Sequence, residues 1–311
     1  MPKRIFAILF VILAAAFSAS AQRKAPAVDD LINVESIGGA QISPNGAYIA
    51  YTVTSTDWKQ DSYVSQIWLV ETYGGRKYQL TRGEKSSGNA TWSPDSAWLA
   101  FTTSRAGGKN QIFIIRPDGG EAIQLTKSES GVNGFDWSPD GKTIAFTSIV
   151  TDEKASKARK DHLGDFEVVR GEYNYTHLFT LDVAEALNGP VAGKQRTKGE
   201  EFTVGGFSWS PGGDLIAFSA NRNSDLINGH TSDIYVLRLA SDAVTKIVSL
   251  PGPDNSPQWS PDGKRIVFSS AMGNPKFYHA NSNLAVVDAE GGTPRSITDS
   301  FDEQPRLLEW R

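Results

Sequence analysis

The stretch Trp137-Ser138-Pro139-Asp140-Gly141 is one copy of a short phrase that recurs along this chain of 311 residues. Its other copies are Ile42-Ser43-Pro44-Asn45-Gly46, Trp92-Ser93-Pro94-Asp95-Ser96, Trp209-Ser210-Pro211-Gly212-Gly213 and Trp259-Ser260-Pro261-Asp262-Gly263. The serines of successive copies are 50, 45, 72 and 50 residues apart. Self-similarity at such a period predicts a repeat architecture.

Each copy combines a tight turn with a set of short strands. In the phrase itself, proline is preset for the second position of a turn, aspartate can cap the turn, and glycine can adopt positive φ. An apolar run follows (residues 99–101, 144–146), then a polar loop and a second strand (residues 111–115). A Gly-Gly turn leads to a third strand, and the residues just before each tryptophan make the fourth. Apolar runs bounded by turn residues are typical of strands.

These repeats predict an all-β fold. We expect a β-propeller of four-stranded antiparallel blades, with about five blades and the start of a sixth, forming an incomplete ring. A β-sandwich would not repeat its turn at this period, and the coils of a β-solenoid are shorter. Trp310 lies 51 residues after Trp259 and is followed only by Arg311, so the sixth copy is expected to have barely opened.

Residues 1–21 have the layout of a secretory signal peptide. Lys3 and Arg4 precede an unbroken run of 13 apolar residues (5–17), and Ala19-Ser20-Ala21 supplies a cleavage site. Such a run is too short to span a bilayer, which takes about 20 residues. We therefore expect cleavage after Ala21, export to the periplasm or the medium, and no membrane contact afterwards. The propeller would occupy residues 22–311.

Charge and cysteine content narrow the class of protein. The formal net charge is −4 and the basic residues are scattered, so nothing favours nucleic acid as a partner, which would need a clustered basic face. The chain has no cysteine. Its stability must therefore come from the hydrophobic core without disulfides.

The spacing of 72 residues indicates an insertion at about residues 151–176. Long insertions in repeat folds often lie at a functional face. The alternative is a solvent-exposed loop that contacts no ligand. Glu167 and Glu172 flank the aromatic part of the insertion. They are the candidate substrate-binding residues, because a carboxylate can accept the amino terminus of a peptide. Most exposed glutamates are merely solvated.

The sequence provides no recognisable catalytic or metal-binding constellation. It has neither a G-x-S-x-G nor an H-E-x-x-H motif. Its four histidines are not paired at ligand spacing: His177 is expected to begin a strand and pack, and His162, His230 and His279 are expected to be structural or exposed. We therefore assign no catalytic residue, no cofactor and no metal site to this chain.

The repeated unit W-S-P-D-G-x-x-[ILV]-[AV]-F, followed by G-G and Q-L-T, resembles the repeat of two groups of propellers. One group is the TolB-type periplasmic propellers. The other is the N-terminal propellers of prolyl oligopeptidase family serine peptidases, which include dipeptidyl and acylaminoacyl peptidases. The insertion (residues 157–169, then 173–183) and the segment 27–31 are similar to the bacterial dipeptidyl and acylaminoacyl enzymes. This resemblance covers essentially residues 25–311.

That resemblance implies the propeller portion of an exported serine exopeptidase. In the family, the propeller gates access to an α/β-hydrolase domain that carries a Ser-Asp-His triad. The hydrolase domain and the last blades are expected to be missing here, so no catalytic residue can be transferred and the chain is expected to have no peptidase activity. Its partners would be peptide substrates, reached through the missing domain. The alternative is a TolB-like periplasmic propeller that acts as a protein-binding module.

Overall fold

The computed structural model describes residues 25–150, 157–158, 160–162, 164, 174–308 and 310. In this part, the chain forms five four-stranded antiparallel sheets, and each sheet is made of four strands that are consecutive in sequence. The predicted all-β fold with four-stranded blades is confirmed. The predicted signal peptide, residues 1–21, lies outside the described residues.

The five blades follow one another along the chain. Blade 1 contains β1 (Ser36–Ile42), β2 (Tyr48–Asp57), β3 (Ser62–Glu71) and β4 (Lys77–Gln79). Blade 2 contains β5 (Ser87–Trp92), β6 (Leu99–Thr103), β7 (Gln111–Arg116) and β8 (Gly119–Gln124). Blade 3 contains β9 (Gly134–Trp137), β10 (Thr143–Val150), β11 (Tyr175–Asp182) and β12 (Lys194–Gln195). Blade 4 contains β13 (Thr203–Trp209), β14 (Leu215–Asn221), β15 (Asp233–Arg238) and β16 (Ala243–Val248). Blade 5 contains β17 (Asp254–Trp259), β18 (Arg265–Ser270), β19 (Asn283–Asp288) and β20 (Arg295–Ser296).

Short helical segments lie between the strands. Helix α1 (Val28–Ile32) precedes blade 1, and α2 (Val183–Ala186) connects β11 to β12. Two 3₁₀ segments, Leu226–Thr231 and Phe277–His279, connect the second and third strands of blades 4 and 5. Residues 297–308 and 310, where the sixth repeat was expected to open, contain no strand.

The strand before each tryptophan opens a blade and pairs with the strand that follows the turn. The sequence pattern had placed it fourth in the repeat, after the Q-L-T strand. The opening strands of neighbouring blades contact one another: β1 contacts β5, β5 contacts β9, and β13 contacts β17. The opening strands therefore lie nearest the axis, and the last strand of each blade lies at its periphery.

The hydrophobic core is divided among the spaces between blades. The phenylalanine on the second strand of each of blades 2 to 5 is fully buried; these residues are Phe101, Phe146, Phe218 and Phe268. Each hydrophobic cluster takes residues from two successive blades, as Ile114 of β7 and Phe146 of β10 share one cluster. A single blade therefore cannot bury its own apolar faces.

The motif tryptophans of blades 2, 3 and 4 tie each blade to the one before. In each case the indole Nε1–H donates to a backbone carbonyl of the previous blade, at the residue just before its motif tryptophan or, in blade 1, just before Ile42. The bonds are Trp92 to Gln41 (3.3 Å), Trp137 to Thr91 (3.2 Å) and Trp209 to Asp136 (3.3 Å). The tryptophan is therefore selected for a hydrogen bond between blades as well as for its apolar area.

The Ser-Pro-Asp-Gly turn also contacts the neighbouring blade. Ser138 Oγ donates to Asp140 Oδ1 (2.7 Å) and accepts from the amide of Thr143 (3.0 Å), which closes the turn. Gly141 has φ +69°, and a Cβ there would lie 3.4 Å from Cδ of Pro94 in the turn of blade 2. The turns of successive blades thus stack on one another around one end of the axis.

A threonine after the fourth strand closes the opposite end of each of blades 1, 2, 3 and 5, and it is buried in blades 1, 2 and 3. Thr126 Oγ1 accepts from the amide of Ile112 (2.8 Å) and donates to Gln111 Oε1 (2.7 Å). The equivalent threonines are Thr81, Thr197 and Thr298. The threonine of the recurring Q-L-T sequence thus hydrogen-bonds to the backbone at the start of the third strand.

We expect Thr126→Val to lower the free energy of unfolding by about 2 kcal/mol, because valine keeps the shape but leaves the buried amide of Ile112 without an acceptor. Thr126→Ser keeps the hydroxyl and should cost less than half as much. Urea denaturation followed by circular dichroism measures both. Equal losses for the two variants would show that the hydroxyl contributes nothing.

Candidate functional site

The antiparallel topology gives the propeller two different faces. The motif turns and the connections between third and fourth strands lie on one face, which we call the turn face. The connections between second and third strands, and those between successive blades, lie on the other, which we call the loop face. The insertion follows β10, which ends at Val150, and precedes β11, which begins at Tyr175. The two residues that flank it, Val150 and Tyr175, therefore lie at the loop face.

The two predicted substrate-binding residues, Glu167 and Glu172, lie outside the described residues. The strands on both sides of them are described, and these strands pair along their full length, from Thr143 opposite Asp182 to Val150 opposite Tyr175. Val150 and Tyr175, on either side of the insertion, thus end a regular hairpin at the loop face.

His177, at the root of the insertion, has a structural role. It lies in β11 and is only 2% exposed, as expected for a packed strand residue. Its Nδ1 lies 3.1 Å from Thr197 Oγ1 and its Nε2 lies 3.0 Å from the carbonyl oxygen of Gly199. Burial lowers the pKa of His177 below its usual value, so the ring is neutral at pH 7. It replaces the glutamine that bonds the threonine in blades 1 and 2.

The other three histidines lie outside the regular strands, in agreement with the sequence-based prediction. His230 and His279 lie in the two 3₁₀ segments, and the ring of His230 stacks on Phe277 with centroids 6.0 Å apart. His279 and His162 are exposed. Across the described ranges, no group of three or more His, Cys, Asp or Glu residues is arranged to hold a metal ion. The same residues include no helix long and apolar enough to cross a membrane.

Several large apolar side chains project from the loop face into solvent. Trp58 at the β2–β3 hairpin is 56% exposed, and Tyr278 before β19 is 73% exposed. Leu226 and Ile227, in the first 3₁₀ segment, are 97% and 63% exposed. Apolar side chains as exposed as these can be covered by another protein or domain. These side chains are not recognisable from the sequence, because isolated apolar residues in loops carry no periodic signal.

A groove of about 650 Å³ between blades 1 and 2 has a basic end on the loop face. Arg105 lies there with its guanidinium 5.5 Å from the ring centre of Phe101 and 5.6 Å from that of Phe113. Its Nη2 donates to Ser87 Oγ at 3.0 Å, and burial lowers its pKa. A guanidinium held on two aromatic rings is suited to bind a carboxylate.

Asp254 is a buried carboxyl at the start of β17 on the loop face. It is 0% exposed, and its Oδ1 has no hydrogen-bond partner. Burial raises its pKa from 3.8 to about 6, against the opposing effect of the Ser270 hydroxyl. No motif marks this residue, because its pKa depends on packing by blades 4 and 5, which only the fold brings together.

Comparisons with known proteins agree with this architecture. Residues 29–169 match the family model described as a TolB beta propeller domain. The chain is 30% identical over 292 residues to dipeptidyl-peptidase 5 of Porphyromonas gingivalis, an alignment that covers 86% of this chain and 42% of that protein. The chain therefore contains a TolB-type propeller domain, is homologous to part of a peptidase, and spans less than half of that peptidase's length.

Solved structures show the same fold at low sequence identity. The acylaminoacyl peptidase of Pyrococcus horikoshii is 16% identical with a TM-score of 0.65, covering 87% of this chain and 41% of that one. The β-propeller domain of the trilobed protease of Pyrococcus furiosus is 15% identical with a TM-score of 0.57, covering 87% and 74%. At such identities, the likeness establishes the propeller fold alone.

The buried carboxyl predicts a stability that depends on pH. The pKa of Asp254 is higher in the folded chain than its ordinary value, so the fold favours the protonated form. Its stabilisation is complete below about pH 4 and is lost as the pH rises through about 6. Relative to Asp254→Asn, the wild type should lose about 2 kcal/mol of unfolding free energy between pH 4 and pH 7.

Urea titrations at the two pH values measure this difference. Asp302→Asn, at an exposed position, controls for the loss of one carboxylate. A difference between wild type and Asp254→Asn that stays constant from pH 4 to pH 7 would contradict the assigned pKa.

Proposed function

We propose that this chain is the non-catalytic, substrate-gating propeller portion of an exported serine exopeptidase of the dipeptidyl or acylaminoacyl type. The alignment over 292 residues with a dipeptidyl peptidase, of which the chain spans 42%, is the observation that carries the proposal. The part of such an enzyme that this chain does not span is long enough to contain an α/β-hydrolase domain. In that domain, a histidine would take the proton of the serine, and oxyanion donors would stabilise the tetrahedral intermediate.

The loop face is the side on which we place the contact with the hydrolase domain. It carries the insertion and the exposed apolar side chains Trp58, Leu226 and Tyr278. A domain docked there would cover this apolar area and form a closed chamber with the propeller. Substrates would then be filtered by size, because only short or extended peptides could reach the chamber.

Within this chamber, we assign Glu167 and Glu172 to the amino terminus of the peptide. A carboxylate that accepts hydrogen bonds from an ammonium group makes a charge-assisted contact, which is both strong and directional. Such a contact fixes how many residues separate the amino terminus from the scissile bond. The two glutamates would therefore determine the length of the released fragment.

Export forms part of the proposal. Residues 1–21 would direct secretion, and the exported protein would begin at Gln22. Edman sequencing of the protein recovered from the periplasm or the medium tests this step. An amino terminus at Met1 would contradict it.

The alternative function is a protein-binding propeller of the TolB type. It is favoured by the match of residues 29–169 to the TolB beta propeller model. In that case, the exposed apolar side chains of the loop face would contact a separate protein. The complete reading frame of the gene distinguishes the two functions, because only the peptidase requires a G-x-S-x-G segment followed by Asp and His.

We expect the protein made from the complete reading frame to release dipeptides or acylated residues from peptide substrates. Glu167→Gln and Glu172→Gln should raise KM for substrates with a free amino terminus about tenfold or more, with kcat little changed, because each removes a charged hydrogen bond. Glu129→Gln, at an exposed position of the loop-face connection between β8 and β9, is the matched control. A KM that is unchanged in both variants would contradict the assigned role.

A further inference from the structure

The groove between blades 1 and 2 is open because the connection between the last two strands of blade 2 is short. Only Pro117 and Asp118 join β7 to β8. In blade 3, the corresponding connection is residues 183–193, which contain α2 and pack against the hydrophobic residues of blade 2. The short connection of blade 2 covers no such area of blade 1, and a groove of about 650 Å³ remains there.

The long connection of blade 3 shows how an extended chain fits at this place. Val191 forms a parallel bridge with Thr126, which follows the last strand of blade 2. The amide of Val191 donates to the carbonyl of Leu125 (2.9 Å), and the amide of Lys127 donates to the carbonyl of Val191 (2.9 Å). This segment of blade 3 thus pairs with blade 2 in the way that an added strand would.

The corresponding backbone groups of blade 1 are unpaired. Thr81 is the counterpart of Thr126, because both accept from an amide of the third strand and donate to a glutamine. Leu80 and Arg82 are therefore the counterparts of the two paired residues, and both line the groove. Among the described residues, the carbonyl of Leu80 and the amide of Arg82 have no hydrogen-bond partner. They offer a peptide one acceptor and one donor in the same parallel arrangement.

The groove has unpaired cations at the end towards which such a peptide would run. A peptide parallel to β8 runs towards the loop face, where the guanidinium of Arg105 is held by two aromatic rings and by the bond from Nη2 to Ser87 Oγ (3.0 Å). Arg105 Nη1 has no partner, and neither Arg105 nor Arg82 forms an ion pair within the part of the chain that the structure describes. By contrast, Arg196 between blades 3 and 4 is paired with Asp242 at 2.7 Å.

The carboxylates that line the groove lie nearer its other end. Glu71 and Asp118 are at the turn face, and Glu121 is in the first half of β8. Glu71 Oε1 lies 3.8 Å from the guanidinium of Arg76. The loop-face end is therefore the place in the groove where an additional negative charge is best accommodated.

We infer that this groove binds an extended peptide by its free carboxyl terminus. The peptide backbone pairs with Leu80 and Arg82, and the terminal carboxylate accepts hydrogen bonds from the guanidinium of Arg105. A guanidinium presents parallel N–H donors that match the two oxygens of a carboxylate, and such charge-assisted bonds are strong and directional. The inference does not rest on the proposed peptidase function, because the groove belongs to blades 1 and 2 and uses no residue of the insertion.

The test is calorimetric titration of the full chain at pH 7 with acetyl-Gly-Pro-Val-Ala, which copies residues 189–192 and ends in a free carboxylate. We expect the carboxamide of this peptide to bind about tenfold more weakly or worse, because it lacks the charged hydrogen-bond acceptor. Methylation of the valine nitrogen removes the donor to the carbonyl of Leu80 and should weaken binding about fivefold. These comparisons leave the protein unchanged.

A pair of variants tests the guanidinium. Arg105→Gln should weaken binding of the free acid about tenfold, because it removes the charged donor. Arg222→Gln is the matched control, since Arg222 is an exposed arginine in the equivalent loop-face connection of blade 4, and it should leave binding unchanged. Circular dichroism of both variants verifies that the fold is retained.

Each outcome bears on the inference. Preference for the free acid that is lost in Arg105→Gln and kept in Arg222→Gln supports it. Binding of acetyl-Gly-Pro-Val-Asp-NH₂ in place of the free acid overturns the assignment to a carboxyl terminus and makes the ligand an acidic side chain. Equal binding of the free acid and its carboxamide, unchanged binding in Arg105→Gln, or no binding of any probe overturns the site itself.

Discussion

The hydrogen bond from an indole to a carbonyl of the previous blade is the interaction on which the rest of this structure depends. It is repeated at Trp92, Trp137 and Trp209, each time beside a turn that stacks on its predecessor. Because every hydrophobic cluster takes residues from two blades, the blades must be held in register for any core to form. The bond fixes that register close to the axis, where the opening strands meet. Stability is therefore a property of pairs of neighbouring blades.

Because the motif residues have structural roles, the function must depend on other residues. The motif serine, aspartate, proline and glycine close turns and contact the next blade, as at Ser138 and Asp140. The threonine and its glutamine, histidine or asparagine partner close the other end. We therefore place binding on side chains that the repeat does not determine, such as Trp58, Leu226 and Tyr278 of the loop face.

Much of the fold was predictable from the sequence because the same turn motif, weak evidence by itself, recurs in every repeat. One Ser-Pro-Asp-Gly turn indicates little, but five copies at a regular period indicate a propeller, and the structure has five blades. The position of the strand before each tryptophan was misjudged, because the sequence does not show which of two flanking strands it pairs with. The unpaired groups at Asp254 and Trp259 were not predictable. Their properties come from burial between strands and blades, which only the folded chain brings together.

The measurement that tests this account most directly is hydrogen exchange of the indole Nε1–H groups, followed by NMR. The account predicts that Trp92, Trp137 and Trp209 exchange far more slowly than Trp58, whose indole is bonded at an exposed position. Exchange of these indoles as fast as that of Trp58 would contradict the claim that they hold the blades together.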